Sequence, residues 1–419
     1  MRKFILLLVV ASLSLHLQAQ PPKKKVVFII ADGIPADLVE KAHGKYLQQI
    51  AETGGYKRAY VGGERGGYSQ TPTISAVGYN SLLTGTWVNK HNVWGNDIKE
   101  PNYNYPTIFR LVKQADSSRK IAVFSTWLDN RTKLVGQSLP QTKNIQVDYH
   151  SDGYELDTVN YPHDKQSLYI HNIDEKVTAD AEKCIRDSAP DLTWLYLEYT
   201  DDMGHRHGDG PEMKQAIGYV DQQVGRIWEA IQYRQKNFRE DWLIIVTTDH
   251  GRDSITGRNH GGQSTRERTT WIYTNAKDLN KYYRDNIPGI VDIMPTIARF
   301  MNIPIPQDNL REIDGTSLIG KLSIMNPLIV YSGNKLNIQW KTGEKDGNVK
   351  IWLSTTNNYK TGGKDEYKLL AEVPVAQKTA ILGVGSYPSS FYKIVLEAPN
   401  NTMNRWISAP VTATAPATP

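Results

Sequence analysis

Four short apolar runs, almost free of polar interruption, constrain the fold of this 419-residue chain more than any other feature. They are Val26 to Ala31 (VVFIIA), Lys120 to Phe124 (KIAVF), Leu192 to Leu197 (LTWLYL) and Trp242 to Thr247 (WLIIVT). A strand with one wet face alternates apolar with polar residues. A continuous run belongs to a strand buried on both faces of a parallel sheet. Helical patterns lie between the runs. From Pro211 onward Ile217, Val220, Val224, Ile227 and Ile231 form a stripe at helical spacing, with Pro211 suited to the first turn and Asp209 or Gly210 to the cap. Ile290 to Met301 reads as a late helix with Pro295 in or near its first turns. Strands alternating with helices predict an α/β fold with a doubly wound, mostly parallel sheet. Ligands of such sheets bind outside the carboxyl ends of the strands.

After Ser323 the pattern changes. Leu328 to Tyr331, Lys335 to Lys341, Val349 to Ser354, Tyr367 to Val373, Lys378 to Leu382, Phe391 to Glu397 and Arg405 to Ile407 are short strand-like runs separated by Gly, Asn and Asp. This spacing predicts a small all-β sandwich of immunoglobulin or fibronectin type III character over 324–408. A disordered Pro/Thr/Ala tail is expected over 409–419. At the other end Arg2 and Lys3, the apolar run Phe4 to Leu17 and then Gln18-Ala19-Gln20 read as a signal peptide over 1–19. The expectation is an exported protein, periplasmic or secreted, with a large domain over 20–323 and no membrane span. Cys184 is the only cysteine, so no internal disulfide forms and a large core must carry stability; the thiol reads as buried and inert. The net charge is only +5, two units of which leave with Arg2 and Lys3, which argues against a nucleic acid polymer as partner.

Six residues read as a ligand set for two divalent metal ions: Asp32, Asp201, His205, Asp249, His250 and His260. Asp32, Asp201 and Asp249 follow close behind three of the apolar runs, where a doubly wound sheet places its site. Asp201 and His205 are four apart, so one turn of chain brings them together. Gly251 after Asp249-His250, and Gly261-Gly262 after His260, allow sharp exits. Each residue alone has a plain alternative, a turn-capping Asp or a core His; the weight lies in the joint pattern. Ser75 lies in a Thr-Pro-Thr-Ile-Ser stretch that reads as a nucleophile loop.

The motifs FIIADGIP (28–35), PTISAVGYNSLLTG (72–85), HNVWGN (91–96), EYTDDMGHRHG (198–208), TTDHG (247–251), NHGG (259–262) and IDGTSL (313–318) together resemble the alkaline phosphatase superfamily, and within it the nucleotide pyrophosphatase/phosphodiesterase family. The resemblance covers roughly residues 26 to 320. It implies two Zn2+ ions, with Mn2+ the alternative: Asp201, His205 and His260 would hold one, and Asp32, Asp249 and His250 the other. It places the nucleophile on Ser75 and a phosphoryl-oxygen donor on Asn96, 21 residues further on. The Leu83-Thr84-Gly85 turn ends the nucleophile helix as in the family. Metal coordination lowers the pKa of a serine hydroxyl and makes an alkoxide accessible. The implied activity is hydrolysis of a small phosphodiester or pyrophosphate through a covalent phosphoseryl intermediate. His91 is expected to shape the loop that carries Asn96.

The same comparison leaves the substrate open. Many family members carry an aromatic residue directly after the nucleophile, where this chain has Ala76. Tyr79, Trp94 and Trp127 are candidate replacements, weighed against plain packing roles. Val77 and Tyr79 stand where a sulfatase has Pro and Arg, so formylglycine maturation is not expected. Arg131-Thr132-Lys133 does not match the Lys-x-Arg pair that phosphomonoesterases use for extra phosphate charge. Asp202 and Asp253 are candidates to orient a ligand histidine. His207 falls on a variable family position. A phosphomonoesterase of the same superfamily is the alternative activity. A binding protein that retains the enzyme fold is a third reading, since the C-terminal domain is a candidate binder of a partner or glycan.

Overall fold

Val26 to Ala31 are wholly buried in strand β1 (Lys23–Ala31), as a run with no polar face requires. The computed structural model describes residues 21–408, so the leader expected over 1–19 and the tail expected over 409–419 lie outside the described residues. The other large-domain strands are β2 (Gly55–Tyr60), β3 (Ile121–Ser125), β4 (Tyr149–Ser151), β5 (Leu192–Leu197), β6 (Glu240–Thr247) and β7 (Thr269–Thr274). They form one sheet in the order β2-β7-β6-β1-β5-β3-β4. β6, β1, β5, β3 and β4 are parallel, while β7 runs antiparallel to β6 and to β2. β2 therefore points the same way as β1, and the loop after it emerges at the same sheet edge.

Both faces of this sheet are covered. Phe28, Ile30, Trp194 and Ile245 pack into one core with Leu82, Phe109 and Ile297. Val27, Ile29, Leu195 and Val246 pack into the other with Ile217, Val224 and Ile231, the stripe of the long helix Pro211–Asn237. Gly210 is its N-cap and Pro211 its first residue. The late helix begins as a 3-10 turn at Ile290–Asp292 and continues over Ile293–Phe300, with Pro295 in its first turn.

The C-terminal segment holds β8 (Ile324–Ser332), β9 (Lys335–Thr342), β10 (Asn348–Ser354), β11 (Lys368–Pro374), β12 (Thr379–Gly383), β13 (Phe391–Ala398) and β14 (Asn401–Ser408). They pair antiparallel in two sheets, β11-β10-β13-β14 and β12-β9-β8, around a core that includes Leu336, Ile338, Trp340, Ile351 and Ile394. Among the described residues no helix is long and apolar enough to cross a membrane.

Candidate metal centre and nucleophile

β1 and β6 are neighbours, so the residues that follow them meet at the carboxyl edge of the sheet. Asp32 comes directly after β1, and Asp249-His250 two residues after β6. Gly33 turns the chain directly after Asp32 with φ 65°, and its N–H donates to Asp249 Oδ1 at 3.0 Å. A side chain there would also collide with the Asp201 carboxylate, so both backbone sign and space require glycine. Asp32 Oδ2 accepts from the Tyr79 hydroxyl and, at 2.7 Å, from the Tyr196 hydroxyl.

The remaining oxygens, Asp32 Oδ1 and Asp249 Oδ2, are buried and have no hydrogen-bond partner. His250 Nε2 lies 3.5 Å from the first and 3.2 Å from the second. His250 Nδ1 lies 2.9 Å from the Gly251 carbonyl oxygen. A carbonyl only accepts, so Nδ1 carries the proton and Nε2 presents its lone pair. Two orphaned carboxylate oxygens and one imidazole lone pair thus converge. Burial and the nearby Asp201 charge push the Asp32 carboxyl up to about 7. Burial and Asp32 push Asp249 well above the usual carboxylate range, and burial pulls His250 well below the histidine range. A buried unpaired acceptor costs about 1–3 kcal/mol, more for a charged one. A divalent cation satisfies all three acceptors and reverses this electrostatic penalty, so the donor set fits one.

The second group adjoins the first. Asp201 and His205 lie one turn apart on the helix Tyr199–His207, so Asp201 sits in a first helical turn rather than at the strand end itself. His205 Nε2 is 3.2 Å from Asp201 Oδ2 and 3.1 Å from His260 Nε2. His260 Nε2 is 3.8 Å from Asp201 Oδ1, and its Nδ1 is 2.9 Å from the Thr73 carbonyl, which again leaves Nε2 with the lone pair. The His250 and His260 rings stack at 3.8 Å, and Asp201, His250 and His260 also converge within ligand range of one another. The hydrogen bond to Asp201 raises the His205 pKa, whereas burial lowers that of His260. Burial alone would raise Asp201, but His205 and Arg252 outweigh it and hold its carboxyl well below the usual range.

Arg252 was not among the sequence candidates, and it organises this side of the site. Its guanidinium is fully buried and donates to the Asp201 carboxylate, to the Asp201 carbonyl at 2.6 Å, to Gly33 O at 3.0 Å and to Arg258 O at 2.9 Å. It lies against Gly204, where a Cβ would overlap the guanidinium. The glycine between Asp201 and His205, paired with an arginine just past Asp249-His250-Gly251, is the signal that could have revealed it. Thr73 was also missed. Its hydroxyl accepts from Gly261 N–H at 2.9 Å and donates to Gly262 O at 2.8 Å, tying the His260 loop to the nucleophile loop.

Ser75 is the first residue of the helix Ser75–Thr84, which ends at Gly85 with φ 65°. Its Oγ is 3.3 Å from His250 Nε2. The helix N-terminus adds partial positive charge where negative charge would develop. Asn96 Oδ1 accepts from the Ala76 N–H at 3.0 Å, which leaves the Asn96 amide N–H donors without a partner among the described residues. His91 fixes this loop. Its Nδ1 accepts from Val93 N–H at 3.1 Å, and its Nε2 is 3.0 Å from Ser81 Oγ on the nucleophile helix.

The other candidates have structural partners. Tyr79 is buried against Asp32, and Trp127 packs edge-on to it at 6.4 Å between ring centroids. Trp94 is exposed and donates to its neighbour Asn92 at 3.0 Å. Arg131 pairs with Asp152 through two hydrogen bonds, of 2.6 and 2.8 Å, and Lys133 pairs with Asp129 at 2.7 Å. Asp202 pairs with Arg206 at 2.6 Å. Asp253 accepts from the N–H groups of Ile255, Thr256 and Asn259, a loop staple. Neither Asp202 nor Asp253 bonds a candidate ligand histidine: Asp202 faces Arg206, and Asp253 accepts from its own loop. His207 lies 3.7 Å from Glu212. Cys184 is half-buried, with its thiol pushed up to about 11 by burial.

The sequence profile described as type I phosphodiesterase / nucleotide pyrophosphatase matches residues 26–279. Among curated proteins, GPI ethanolamine phosphate transferase 2 of Schizosaccharomyces pombe is 24% identical over 324 residues, covering 71% of this chain and 39% of that protein. The catalytic subunit of GPI ethanolamine phosphate transferase 2 of Homo sapiens is 24% identical over 304 residues, covering 69% of this chain and 27% of that protein. The chain thus spans well under half the length of these relatives. A solved structure from Bacteroides thetaiotaomicron, described provisionally as a sulfatase, superposes with a TM-score of 0.51 at 13% identity, covering 84% of this chain and 86% of that one. This last likeness bears on the fold alone.

Proposed function

The chain belongs to the type I phosphodiesterase / nucleotide pyrophosphatase family, and from that premise we propose that it is an exported, two-metal hydrolase of phosphodiester or pyrophosphate bonds. Asp32, Asp249 and His250 would hold one ion, and Asp201, His205 and His260 the other. Zn2+ suits these mixed oxygen and nitrogen donors, with Mn2+ the alternative. Bound cations supply charge that favours the serine alkoxide and stabilises the phosphoryl oxygens. The observation that carries the reading is the convergence of Ser75 Oγ, His250 Nε2 and two orphaned carboxylate oxygens at one helix N-terminus.

The chain's own groups supply the rest. Ser75 loses its proton to solvent and its Oγ attacks phosphorus. The bond from phosphorus to the leaving oxygen breaks, and the remaining ester arm stays on phosphorus as a diester of Ser75. Water then displaces Ser75. Asn96, aimed by its bond to Ala76, would donate to a non-bridging oxygen as negative charge builds there. Such donors contribute about 100- to 1,000-fold in rate. Tyr79 and Tyr196 hold Asp32, and Arg252 holds Asp201, so the ligands are oriented before substrate arrives.

A monoester dianion needs more positive charge than a diester monoanion. The two cations offered for that task are already paired, Arg131 with Asp152 and Lys133 with Asp129. This supports a diester substrate over the phosphomonoesterase reading. The test compares the rates of the wild type and Ser75→Ala on bis(4-nitrophenyl) phosphate and on 4-nitrophenyl phosphate. We expect the diester to be favoured and Ser75→Ala to lose at least about 1,000-fold. Faster monoester turnover would support the phosphomonoesterase; an inactive wild type in zinc and in manganese would support the binding-protein reading.

The identity to proteins named as ethanolamine phosphate transferases favours a second outcome for the same seryl diester. An acceptor hydroxyl in place of water would make the reaction a transfer. Product analysis with an added alcohol separates the two outcomes.

A further inference from the structure

A cavity of about 670 Å³ opens between the large domain and the C-terminal strands, with Arg65, Arg268 and Arg405 in its lining. Arg65 lies on the loop after β2, Arg268 directly precedes β7, and Arg405 lies on β14. Because β2 and β1 point the same way, the Arg65 loop and the metal ligands share one sheet edge. β2 is two strand positions from β6, a strand spacing of about 10 Å in the plane of the sheet. Gln263 links the Arg65 loop to the metal ligands. It is three residues past His260, its carbonyl and side-chain oxygens accept from Arg65 and from Arg268 (2.6 Å), and its amide donates to Thr71 O at 2.8 Å.

Among the described residues none of these three guanidiniums has a carboxylate partner. Arg268 reaches only Gln263 and the carbonyls of Gly62 and Gly63, and Arg405 only the carbonyl of its neighbour Asn404. Of the three acids that line the same cavity, Asp314 and Asp292 have partners. Asp314 is paired with Lys90 at 2.6 Å. Asp292 accepts from Gly289 N–H, Thr316 N–H and the Tyr282 hydroxyl. The third, Glu64, is exposed and forms no ion pair among the described residues. Ten of the eighteen described arginines form ion pairs; of the eight that do not, three line this one cavity. Tyr60 and Tyr68 add half-buried aromatic faces to the wall. Arginine forks grip planar or tetrahedral oxyanions with two hydrogen bonds, and aromatic faces pack against the apolar face of a ring. The volume suits one ring with its substituents.

We propose that this cavity is a distal substrate subsite that takes an anionic ring, a pyranose bearing a carboxylate or sulfate, carried on the group esterified to phosphorus. The assignment of the cavity to a substrate rests on the hydrolase reading above. It gives the C-terminal strands a direct part in selectivity through Arg405.

Titration calorimetry on the full-length, zinc-loaded protein tests it with glucuronate, glucose 6-sulfate and neutral glucose. The two anionic sugars separate a carboxylate from a sulfate preference, and tighter binding of either supports the subsite. At least one should bind tenfold or more tightly than glucose. Arg405→Gln and Arg65→Gln should each weaken that binding by about tenfold, the worth of one charge-assisted hydrogen bond. Melting temperatures report the fold of each variant. Arg65 is exposed, so Arg65→Gln keeps the test decisive should Arg405→Gln fail to fold. Three results would overturn the subsite: neither anionic sugar exceeds glucose, binding is indifferent to both arginines, or the wild type takes up no sugar at all. Turnover of bis(4-nitrophenyl) phosphate by the same wild-type preparation is read separately. Turnover without anionic-sugar binding overturns the subsite and leaves the hydrolase standing. No turnover with any metal overturns the hydrolase, and with it the cavity's role as a substrate subsite.

Discussion

In the two-metal reading, a proton and a metal ion would compete for the same lone pair on His205. The Asp201 carboxylate 3.2 Å away raises the pKa of this imidazole, so the metal-free protein holds the proton more tightly than a free histidine would. A ligating histidine must be neutral, and metal uptake expels the proton. The sign follows: metal affinity is full above the raised His205 pKa and falls as pH drops through it. His260 and His250 are shifted the other way by burial and stay available as ligands to lower pH. We therefore predict that zinc affinity, measured by chelator competition, declines by about tenfold per pH unit on the acid side of the histidine range. His205→Asn should bind zinc weakly with a flatter pH profile. A wild-type affinity indifferent to pH through that range would contradict this account of His205.

At the scale of elements, the nucleophile helix is pressed against the β6 loop. A Cβ on Gly78, one turn past Ser75, would stand 2.9 Å from Asp249 O and 3.0 Å from Asp249 Cβ. Gly78→Ala should force the two apart by a fraction of an ångström and move Ser75 relative to His250. Misplacement on the ångström scale can cost about 100-fold in rate, so we expect kcat for a diester to fall tenfold or more with KM changed less. Wild-type kcat in Gly78→Ala would mean that the helix has slack there. The same elements show what could be read in advance. Runs such as LTWLYL reveal β5 because burial on both faces leaves no polar position to confuse the pattern. β2 reads GYKRAY and is mostly half-exposed, so its apolar signal is weak, and β4 has only three residues. β7, TTWIYT, is built of strand-forming residues yet hides behind the charged turn Thr265–Arg268. The six candidate ligands could be picked out because local motifs carry them. Arg252 and Thr73 could not, because their roles consist of long-range bonds to Asp201 and to the 261–262 backbone.

The whole molecule is joined through a buried ionic cluster. Lys90, just before the loop of Asn96, donates to Asp314 at 2.6 Å and to Asn404 on β14 at 3.0 Å. Lys393 on β13 donates to Glu312 at 2.6 Å and to Asp365 at 2.7 Å. Both ammonium groups lie 4.9 Å from the Trp406 ring. The C-terminal strands are thereby tied to the segment that supports the nucleophile helix, where Gly85 O accepts from Asp314 N–H. Lys393→Met would leave two buried carboxylates uncompensated, and breaking such a pair costs about 3–5 kcal/mol. Denaturant unfolding should show a clearly lower midpoint for this variant. An unchanged midpoint would show that the cluster is dispensable to stability.

The central claim is that the six ligands hold two metal ions beside Ser75. Anomalous scattering from crystals of the zinc-loaded protein tests it most directly. The account predicts two zinc peaks, one among Asp32, Asp249 and His250 within reach of Ser75 Oγ, and one among Asp201, His205 and His260. Zinc bound only elsewhere on the molecule, or no ordered zinc at either group, would contradict it.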